Sequence, residues 1–261
     1  MWWLMLREAL LALKANRLRS FLTMLGMIIG VGAVIAMLAI GQGVQTRVND
    51  SIKSMGSNLF IILPGATSAN GVRSGYGSAP SLTVDDASAL REITGVASAA
   101  PVVQSSSQVI YGAQNWNTYV VGSNIDYFTL RDWTIASGYA FDQPEIQSAA
   151  QVAVIGKKVA SNLFGNEDPI GETLRIRNLP FQVIGVLGSK GQSLDGRDQD
   201  DTIVIPITTA QRKLFGNRFR NSVRMIMVQA ISEEAMPRVE RDLRINLRQR
   251  HRLSNDAEDD F

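Results

Sequence analysis

The residue types that most often carry chemistry in proteins are scarce in this chain. Its 261 residues include no cysteine and one histidine, His251. Without thiols or a second imidazole, the sequence excludes a disulfide, a thiolate nucleophile and a metal site built from clustered histidines. His251 follows an arginine-rich run and precedes the acidic end Asp256, Glu258, Asp259 and Asp260. We interpret His251 as a surface residue and the acidic end as a solvated tail, because the D-x-D-x-D-G spacing of a calcium loop is missing.

Motif searches return no catalytic signature. The sequence has no G-x-x-x-x-G-K-[ST] phosphate loop, no G-x-S-x-G nucleophile turn and no H-E-x-x-H zinc motif. Gly30-Val31-Gly32 and Gly41-Gln42-Gly43 lack both the third glycine and the preceding strand of a dinucleotide-binding loop. We therefore predict a protein that is not an enzyme, with no catalytic residue, no cofactor and no metal.

Charge and composition narrow the classes of protein to which the chain could belong. The 26 Lys and Arg against 24 Asp and Glu give a formal net charge of +2, which argues against a general nucleic-acid binder. Apolar residues make up 45% of the chain, which is enough for a packed core. Two basic clusters stand out, and for both we favour a solvated face over a partner-docking surface. They are Arg212, Lys213, Arg218, Arg220 and Arg224, and Arg238, Arg241, Arg244, Arg248, Arg250 and Arg252.

A long uncharged segment near the N-terminus is typical of a membrane helix. No charged residue lies between Arg19 and Arg47, and Ser20 to Ile40 are almost entirely apolar. As a helix this apolar segment measures roughly 31 Å, enough to cross the hydrocarbon core of a bilayer. We therefore predict a transmembrane helix over residues 20–41. The alternatives are a signal peptide cleaved near Gly41, whose apolar core would be shorter, and a buried helix of a soluble protein, which is rarely apolar on every face.

The flanking charges orient this helix. Arg7, Lys14, Arg17 and Arg19 precede it, and basic flanks favour the cytoplasmic side of a membrane. We predict an inner-membrane protein with a cytoplasmic N-terminus and a periplasmic or extracellular main domain. Residues 1–19 mix apolar and basic positions at helical spacing, which predicts an amphipathic helix at the membrane surface. That helix is either a docking surface for a cytoplasmic partner or a plain topogenic anchor, and periodicity does not separate the two.

Small residues mark one side of the predicted membrane helix. Gly26 and Gly30 form a G-x-x-x-G pattern that Gly32 and Ala33 extend. Small side chains let the backbone of another membrane helix approach closely. We predict helix packing at these four positions.

Residues 42–261 are predicted to form an extracytoplasmic domain of mixed helices and strands. The elements do not strictly alternate, so we predict an α+β fold with two subdomains. Residues 66–80 and 189–201 are predicted loops, and Thr83 and Ser232 are predicted helix N-caps. The predicted helices are 42–55, 83–93, 157–164 and 232–252. The predicted strands are 58–63, 97–110 in two pieces, 118–122, 152–155, 173–177, 181–187, 203–205 and 223–230.

Several segments match a known family, in the same order along nearly the whole chain. They are Arg19 to Gly43; Gly56-Ser57-Asn58-Leu59-Phe60 with Pro64-Gly65; and Val152-Ala153-Val154-Ile155-Gly156 with Leu163-Phe164-Gly165, Asp168-Pro169-Ile170-Gly171 and Phe181-Gln182-Val183-Ile184-Gly185-Val186. The first segment resembles the first transmembrane helix of the MacB-like, FtsX-related family of ABC transporter permeases. The second resembles the entry to the periplasmic core domain of that family, and the third resembles the central signature of this domain.

This resemblance implies a dimeric permease with four transmembrane helices per protomer and a large extracytoplasmic domain between the first two. A cytoplasmic ATPase, expected here as a separate chain, would open and close the dimer. The permease would pass this mechanical work outward and expel substrate through a membrane-fusion adaptor protein. The expected partners are the ABC ATPase subunit, the adaptor, and a second copy of the chain or a paralogous permease. Arg7, Lys14, Arg17 and Arg19 are candidate contacts to the ATPase.

The sequence stops at Phe261, where the family pattern places a second membrane helix. We therefore expect a truncated or split permease that does not transport alone, with the acidic end as the outer approach to that helix. Two alternatives stay open. One is a single-span extracytoplasmic sensor or binding protein, and the other is a lipoprotein-release or cell-division relative in the same superfamily.

Overall fold

The computed structural model describes most of the chain. The described residues are 2, 3, 5, 7, 17–54, 58–65, 68–69, 72–73, 81–193, 196–216, 221–254 and 256–261. Within 17–54, side chains are described at 18, 21, 22, 24–39, 41 and 42. The residues form two compact units, Met1–Ile52 and Lys53–Phe261.

The N-terminal unit is dominated by helix α1, Arg17–Ser54, which is 38 residues long. Its described large apolar side chains are exposed, with Met27 72% and Met37 77% accessible. The predicted helix and its polar extension are therefore confirmed as one continuous helix. Among the described residues no helix meets the length and hydropathy required to cross a membrane, so the transmembrane prediction for 20–41 is not confirmed. Of the predicted amphipathic helix 1–19, residues 2, 3, 5 and 7 are helical, and 8–16 lie outside the described residues.

The second unit contains eleven strands and several short helices among its described residues. The strands are β1 Leu59–Ile62, β2 Ser68–Ala69, β3 Val72–Arg73, β4 Val96–Tyr111, β5 Gln114–Ser123, β6 Ile135–Gly138, β7 Val152–Ile155, β8 Thr173–Ile176, β9 Leu179–Leu187, β10 Thr202–Pro206 and β11 Met225–Ala230. The helices are α2 Val84–Arg91, α3 Asp126–Leu130, α4 Gln143–Gln147, α5 Lys157–Phe164, α6 Ile207–Thr209, continued by a π-helical turn Ala210–Leu214, and α7 Met236–Arg250.

Six of the strands close into a hydrogen-bonded ring. The main sheet has the order β1-β11-β4-β5-β10-β7-β9-β6, and β8 pairs with both β4 and β9. The ring therefore runs β4-β5-β10-β7-β9-β8 and returns to β4. All six strands contribute to one buried apolar cluster, which α5 and the π-helical turn complete. Fully buried members include Val109, Val120, Phe181 and Ile203, so this cluster fills the inside of the ring.

The outer face of the ring carries a second cluster. Neighbouring residues on a strand point to opposite faces. Val121, Val154 and Val204 therefore pack outward, against α3, α4 and Trp133. Strand β10 is buried on both faces along its whole length, which explains its continuous apolar sequence.

A third apolar cluster forms the layer that contains the first strand and the last residues of the second unit, which we call the C-terminal layer. Strands β1 and β11 and the first half of β4 pack against α2 and α7. Fully buried residues here include Leu82, Leu90 and Val239, and the final residue, Phe261, packs at the edge of this cluster. Strand β4 joins this layer to the ring, since residues 96–102 pair with β11 and residues 103–111 with β5. The two halves predicted as subdomains thus share one strand and belong to one compact unit.

The mixed α/β fold class is confirmed, and several boundaries differ from the prediction. Residues 97–110 form one strand instead of two pieces, because Pro101 has a ladder partner on one side only and the strand continues past it. Helix α7 begins at Met236 rather than 232. The predicted loop 66–80 contains the short hairpin β2–β3, and its other residues lie outside the described part of the chain.

Candidate functional site

The most connected group of charged side chains lies where α2, α7 and the C-terminal segment meet. It consists of Asp86, Arg250, His251 and Asp260, which we call the clasp. Asp86 is at the start of α2, Arg250 and His251 are at the end of α7, and Asp260 is next to the last residue. The clasp therefore joins the beginning and the end of the C-terminal layer.

Asp86 is the buried centre of the clasp, with 3% of its surface exposed. It occupies the third position of α2, where Thr83 and Asp86 form a reciprocal capping box. Oδ1 accepts a hydrogen bond from Nε of Arg250 at 2.6 Å. Burial alone would raise the pKa of the Asp86 carboxyl, but hydrogen bonds from Thr83, Arg250 and His251 outweigh it and hold that pKa below its ordinary value.

His251 links this buried carboxylate to the C-terminal segment. Its Nδ1 lies 2.7 Å from Oδ1 of Asp260, and its Nε2 lies 3.3 Å from Oδ2 of Asp86. The side chain is 9% exposed. The edge of its ring also meets Phe261 at a centroid distance of 6.0 Å. The prediction of His251 as a surface residue is therefore wrong.

The acidic end is folded onto the domain, which corrects the predicted solvated tail. Asp259 pairs with Arg244 at 3.2 Å and with Arg248. The backbone oxygen of Asp260 accepts hydrogen bonds from Oγ of Ser81 and from the amide of Gly65, both at 2.6 Å. A Cβ on Gly65 would lie 2.5 Å from the Asp260 carbonyl carbon, so the two backbones meet at a point that only glycine permits. The C-terminal segment is thus tied to the residues that follow β1.

The predicted basic clusters are partly engaged in internal pairs. On α7, Arg238 pairs with Asp242 on the surface, while Arg250 reaches the buried Asp86. In the other cluster, Nζ of Lys213 donates to the backbone oxygen of Ala149. Arg218 and Arg220 lie outside the described residues.

The described part of the chain shows no packing partner for the glycines predicted to pack against another helix, so that packing remains a prediction. A Cβ placed on Gly26, Gly30 or Gly32 would meet no atom within 4 Å beyond its own helix, and Ala33 is exposed. Arg7 is exposed, and Lys14 lies outside the described residues. Arg17 and Arg19 belong to the backbone of α1, but their side chains lie outside the described set. These four arginine and lysine positions remain predictions.

Two shallow grooves on the second unit are separate from the clasp. One, of about 370 Å³, lies between the β4–β5 turn and the end of α5, and Tyr111, Asn162 and Glu167 line it. The other, of about 210 Å³, lies between α2 and α4 beside Arg91 and Asn124. The first groove is also lined by Leu163, Phe164 and Gly165 of the central signature.

The glycines of the central signature have a structural explanation. A Cβ on Gly156, directly after β7, would lie 2.1 Å from the carbonyl oxygen of Asp200. A Cβ on Gly185, inside β9, would lie 2.4 Å from the carbonyl oxygen of Tyr139. Real Cβ atoms do not approach oxygen so closely, so both positions require glycine for the ring to pack against its neighbouring segments.

The fold is shared with two solved extracytoplasmic domains. It is similar to the crystal structure of the periplasmic region of MacB from Actinobacillus actinomycetemcomitans, with a TM-score of 0.62, 22% identity and coverage of 77% of this chain and 87% of that one. It is also similar to the extracellular domain of the noncanonic ABC-type transporter YknZ from Gram-positive bacteria, with a TM-score of 0.62, 19% identity and coverage of 76% and 96%.

The sequence identifies the family. The profile of the MacB-like periplasmic core domain matches residues 20–245, so the chain belongs to this family of ABC permease core domains. Two relatives carry the name macrolide export ATP-binding/permease protein MacB. The one from Syntrophobacter fumaroxidans is 39% identical over 218 residues, covering 83% of this chain and 30% of the relative. The one from Rhodospirillum rubrum is 42% identical over 214 residues, covering 81% and 32%. The chain thus spans about a third of the length of the curated relatives it matches.

Proposed function

We propose that this chain is the front part of an ABC-type export permease: a first membrane helix followed by an extracytoplasmic core domain. In this proposal ATP is hydrolysed by a cytoplasmic ATPase subunit, and the chain itself is a non-catalytic subunit that converts hydrolysis into movement outside the membrane. The observation that carries the proposal is the family match over residues 20–245, which includes the apolar part of α1 as well as the folded domain.

The exposure of α1 supports its placement in a membrane. Thirteen large apolar side chains among the described positions of α1 are exposed, which would be unfavourable in water. All of them except Leu25 are more than half exposed, among them Phe21, Ile28 and Val34. Exposed apolar side chains on every side of a helix are typical of a lipid-facing segment. In this proposal residues 20–41 cross the inner membrane with the N-terminus inside.

The continuity of the chain supports mechanical coupling. Helix α1 is unbroken over a length of about 57 Å and ends shortly before β1. Strand β1 is anchored in the C-terminal layer, and the residues after it are hydrogen-bonded to Asp260. In this proposal a displacement of α1 is passed along the chain to β1, and the hydrogen bond between Gly65 and Asp260 passes it on to the end of the domain. In this proposal an adaptor protein receives that motion, and a second copy or a paralogous permease completes the membrane part.

The sensor alternative has less support, since the family match is to permease core domains. The relatives are named for macrolide export and for ATP binding together with permease function. Export of a substrate is therefore part of the proposal for this chain, and the chemical identity of that substrate is left open by it.

The absence of cysteine makes a topology test straightforward, because a single introduced cysteine is a unique label. Gln147→Cys places the label on an exposed position of the core domain, and Arg7→Cys places it before α1. In intact cells a membrane-impermeant maleimide should label Gln147→Cys, while Arg7→Cys should react only after permeabilisation. Labelling of both cysteines in intact cells, or of neither, would contradict the proposed topology.

A further inference from the structure

Both ring nitrogens of His251 face carboxylate oxygens. Nδ1 faces Asp260 and Nε2 faces Asp86, at 2.7 and 3.3 Å. A neutral imidazole carries one N–H and one lone pair, whereas the protonated ring carries two N–H groups. Only the protonated ring can therefore donate to both carboxylates. After loss of the proton, one nitrogen lone pair faces a carboxylate oxygen, and that contact becomes repulsive.

The two carboxylates do not depend on His251 equally. Asp86 also accepts hydrogen bonds from Arg250 and from the backbone and side chain of Thr83. The Asp260 side chain pairs with His251, while its backbone oxygen accepts hydrogen bonds from Ser81 and Gly65. The charged groups facing the imidazole are Asp86 from α2 and Asp260 from the C-terminal segment, and the cation nearest to them is Arg250 on α7. When the ring loses its proton, the Asp260 carboxylate therefore faces an uncharged ring, whereas Asp86 keeps its ion pair with Arg250.

We propose that the clasp holds the C-terminal segment on the domain in a pH-dependent way. Its contacts are stronger when His251 is protonated and weaker when His251 is neutral. An imidazole side chain changes its charge between about pH 5 and 8. The backbone contact between Gly65 and Asp260 lies on the same segment, so loosening would also weaken the connection between the residues after β1 and the end of the domain. This inference concerns contacts within the folded domain and does not depend on the proposed export function.

The single histidine makes the test direct, since every imidazole signal in an NMR spectrum of the full-length protein belongs to His251. The amide of Gly65 donates a hydrogen bond to the backbone oxygen of Asp260, so its rate of hydrogen exchange shows whether the C-terminal segment is in place. The amide of Val204 in the buried strand β10 is the internal reference for the effect of pH on exchange itself. We expect the protection of Gly65 relative to Val204 to fall about ten-fold between about pH 5 and 8, as for loss of one charge-assisted hydrogen bond. This fall should follow the titration of the His251 signals.

Two variants distinguish an effect of the clasp on amide protection from a general effect of pH. His251→Gln keeps a hydrogen-bonding side chain that does not titrate, so the relative protection of Gly65 should become independent of pH. Asp260→Asn keeps the shape of the side chain but removes its charge, so the pH-dependent change should shrink. Protection of Gly65 that is constant across the range in the unmodified protein, or that falls equally in His251→Gln, would overturn the proposal. The measurement on the unmodified protein decides the question even if a variant fails to fold.

Discussion

Nε of Arg250, in the last turn of α7, lies 2.6 Å from Oδ1 of Asp86, in the first turn of α2. The two residues are 164 positions apart in the sequence. This pair fastens the two helices that cover the C-terminal layer, and the same carboxylate closes the capping box of α2. Asp86 therefore takes part both in the local capping box with Thr83 and in the long-range ion pair with Arg250.

Replacement of Asp86 should lower the stability of the domain. Asp86→Ala removes the cap partner and leaves Arg250 without its carboxylate, for an expected loss of about 2–3 kcal/mol in the free energy of unfolding. Chemical denaturation followed by circular dichroism measures this change. Asp85→Ala is the matched control, since it removes the same charge from an exposed neighbour that accepts a hydrogen bond from the side chain of Asn221. A similar loss in both variants would argue against a special role for Asp86.

The lowered pKa of Asp86 predicts a loss of stability in acid. A carboxyl whose pKa is lower in the folded state than its ordinary value of 3.8 stabilises the fold fully above that value. The contribution disappears as the pH falls through the lowered folded-state pKa. The urea midpoint of the unmodified protein should therefore fall more steeply below about pH 4 than that of Asp86→Asn. Parallel curves for Asp86→Asn and the unmodified protein would show that other carboxyls govern acid unfolding.

Glycine at the end of β7 should be essential for packing. Gly156→Ala would push a methyl group into the carbonyl oxygen of Asp200, and relief requires movement of one of the two backbones. We expect a loss of about 1–3 kcal/mol, as for other overpacked positions. Thermal unfolding measures it, with Ser161→Ala on the exposed side of α5 as the control. An unchanged midpoint for Gly156→Ala would mean that the close approach to Asp200 is not present in solution.

The glycine face of α1 should matter only in an assembly. Because no described residue beyond its own helix has an atom within 4 Å of a Cβ placed on Gly30, Gly30→Leu should leave the stability of the core domain unchanged. In the assembled permease the same change should weaken association of the membrane helices, measurable by energy transfer between labelled copies in membranes. Ile28→Leu tests a different face of the helix and should have little effect. Equal energy transfer in Gly30→Leu and the unmodified protein would rule out packing through this face.

The helices and strands with the clearest local sequence patterns were predicted correctly. The apolar run ended by Gly156 predicted β7 and the start of α5 at their observed bounds. The pattern of Thr83 followed by two aspartates predicted the cap of α2. Helices α3 and α4 were missed because five residues are too few to show helical periodicity.

The clasp could not be predicted in the same way. Its contacts join residues that are far apart in the sequence, and the acidic end and the arginine run each resemble an ordinary solvated segment. One signal was present: Asp86 at the third position of a capped helix is a carboxylate held in place by its own backbone contacts. The sequence did not show that α7 ends beside Asp86. That position follows from the packing of α2 and α7 on the same sheet. Closure of the six-strand ring was hidden for a similar reason, since it depends on β8 pairing with both β4 and β9.

In the proposed function, ATP hydrolysis in a separate subunit moves this extracytoplasmic domain. The most direct measurement uses Gln147→Cys, spin-labelled in a transporter assembled with its ATPase in liposomes, and records distances between the labels of two copies by pulsed electron paramagnetic resonance. We expect the distance distribution with ATP bound to differ from the distribution without nucleotide. Identical distributions in an assembly with measurable ATP hydrolysis would show that the domain does not move with the ATPase cycle.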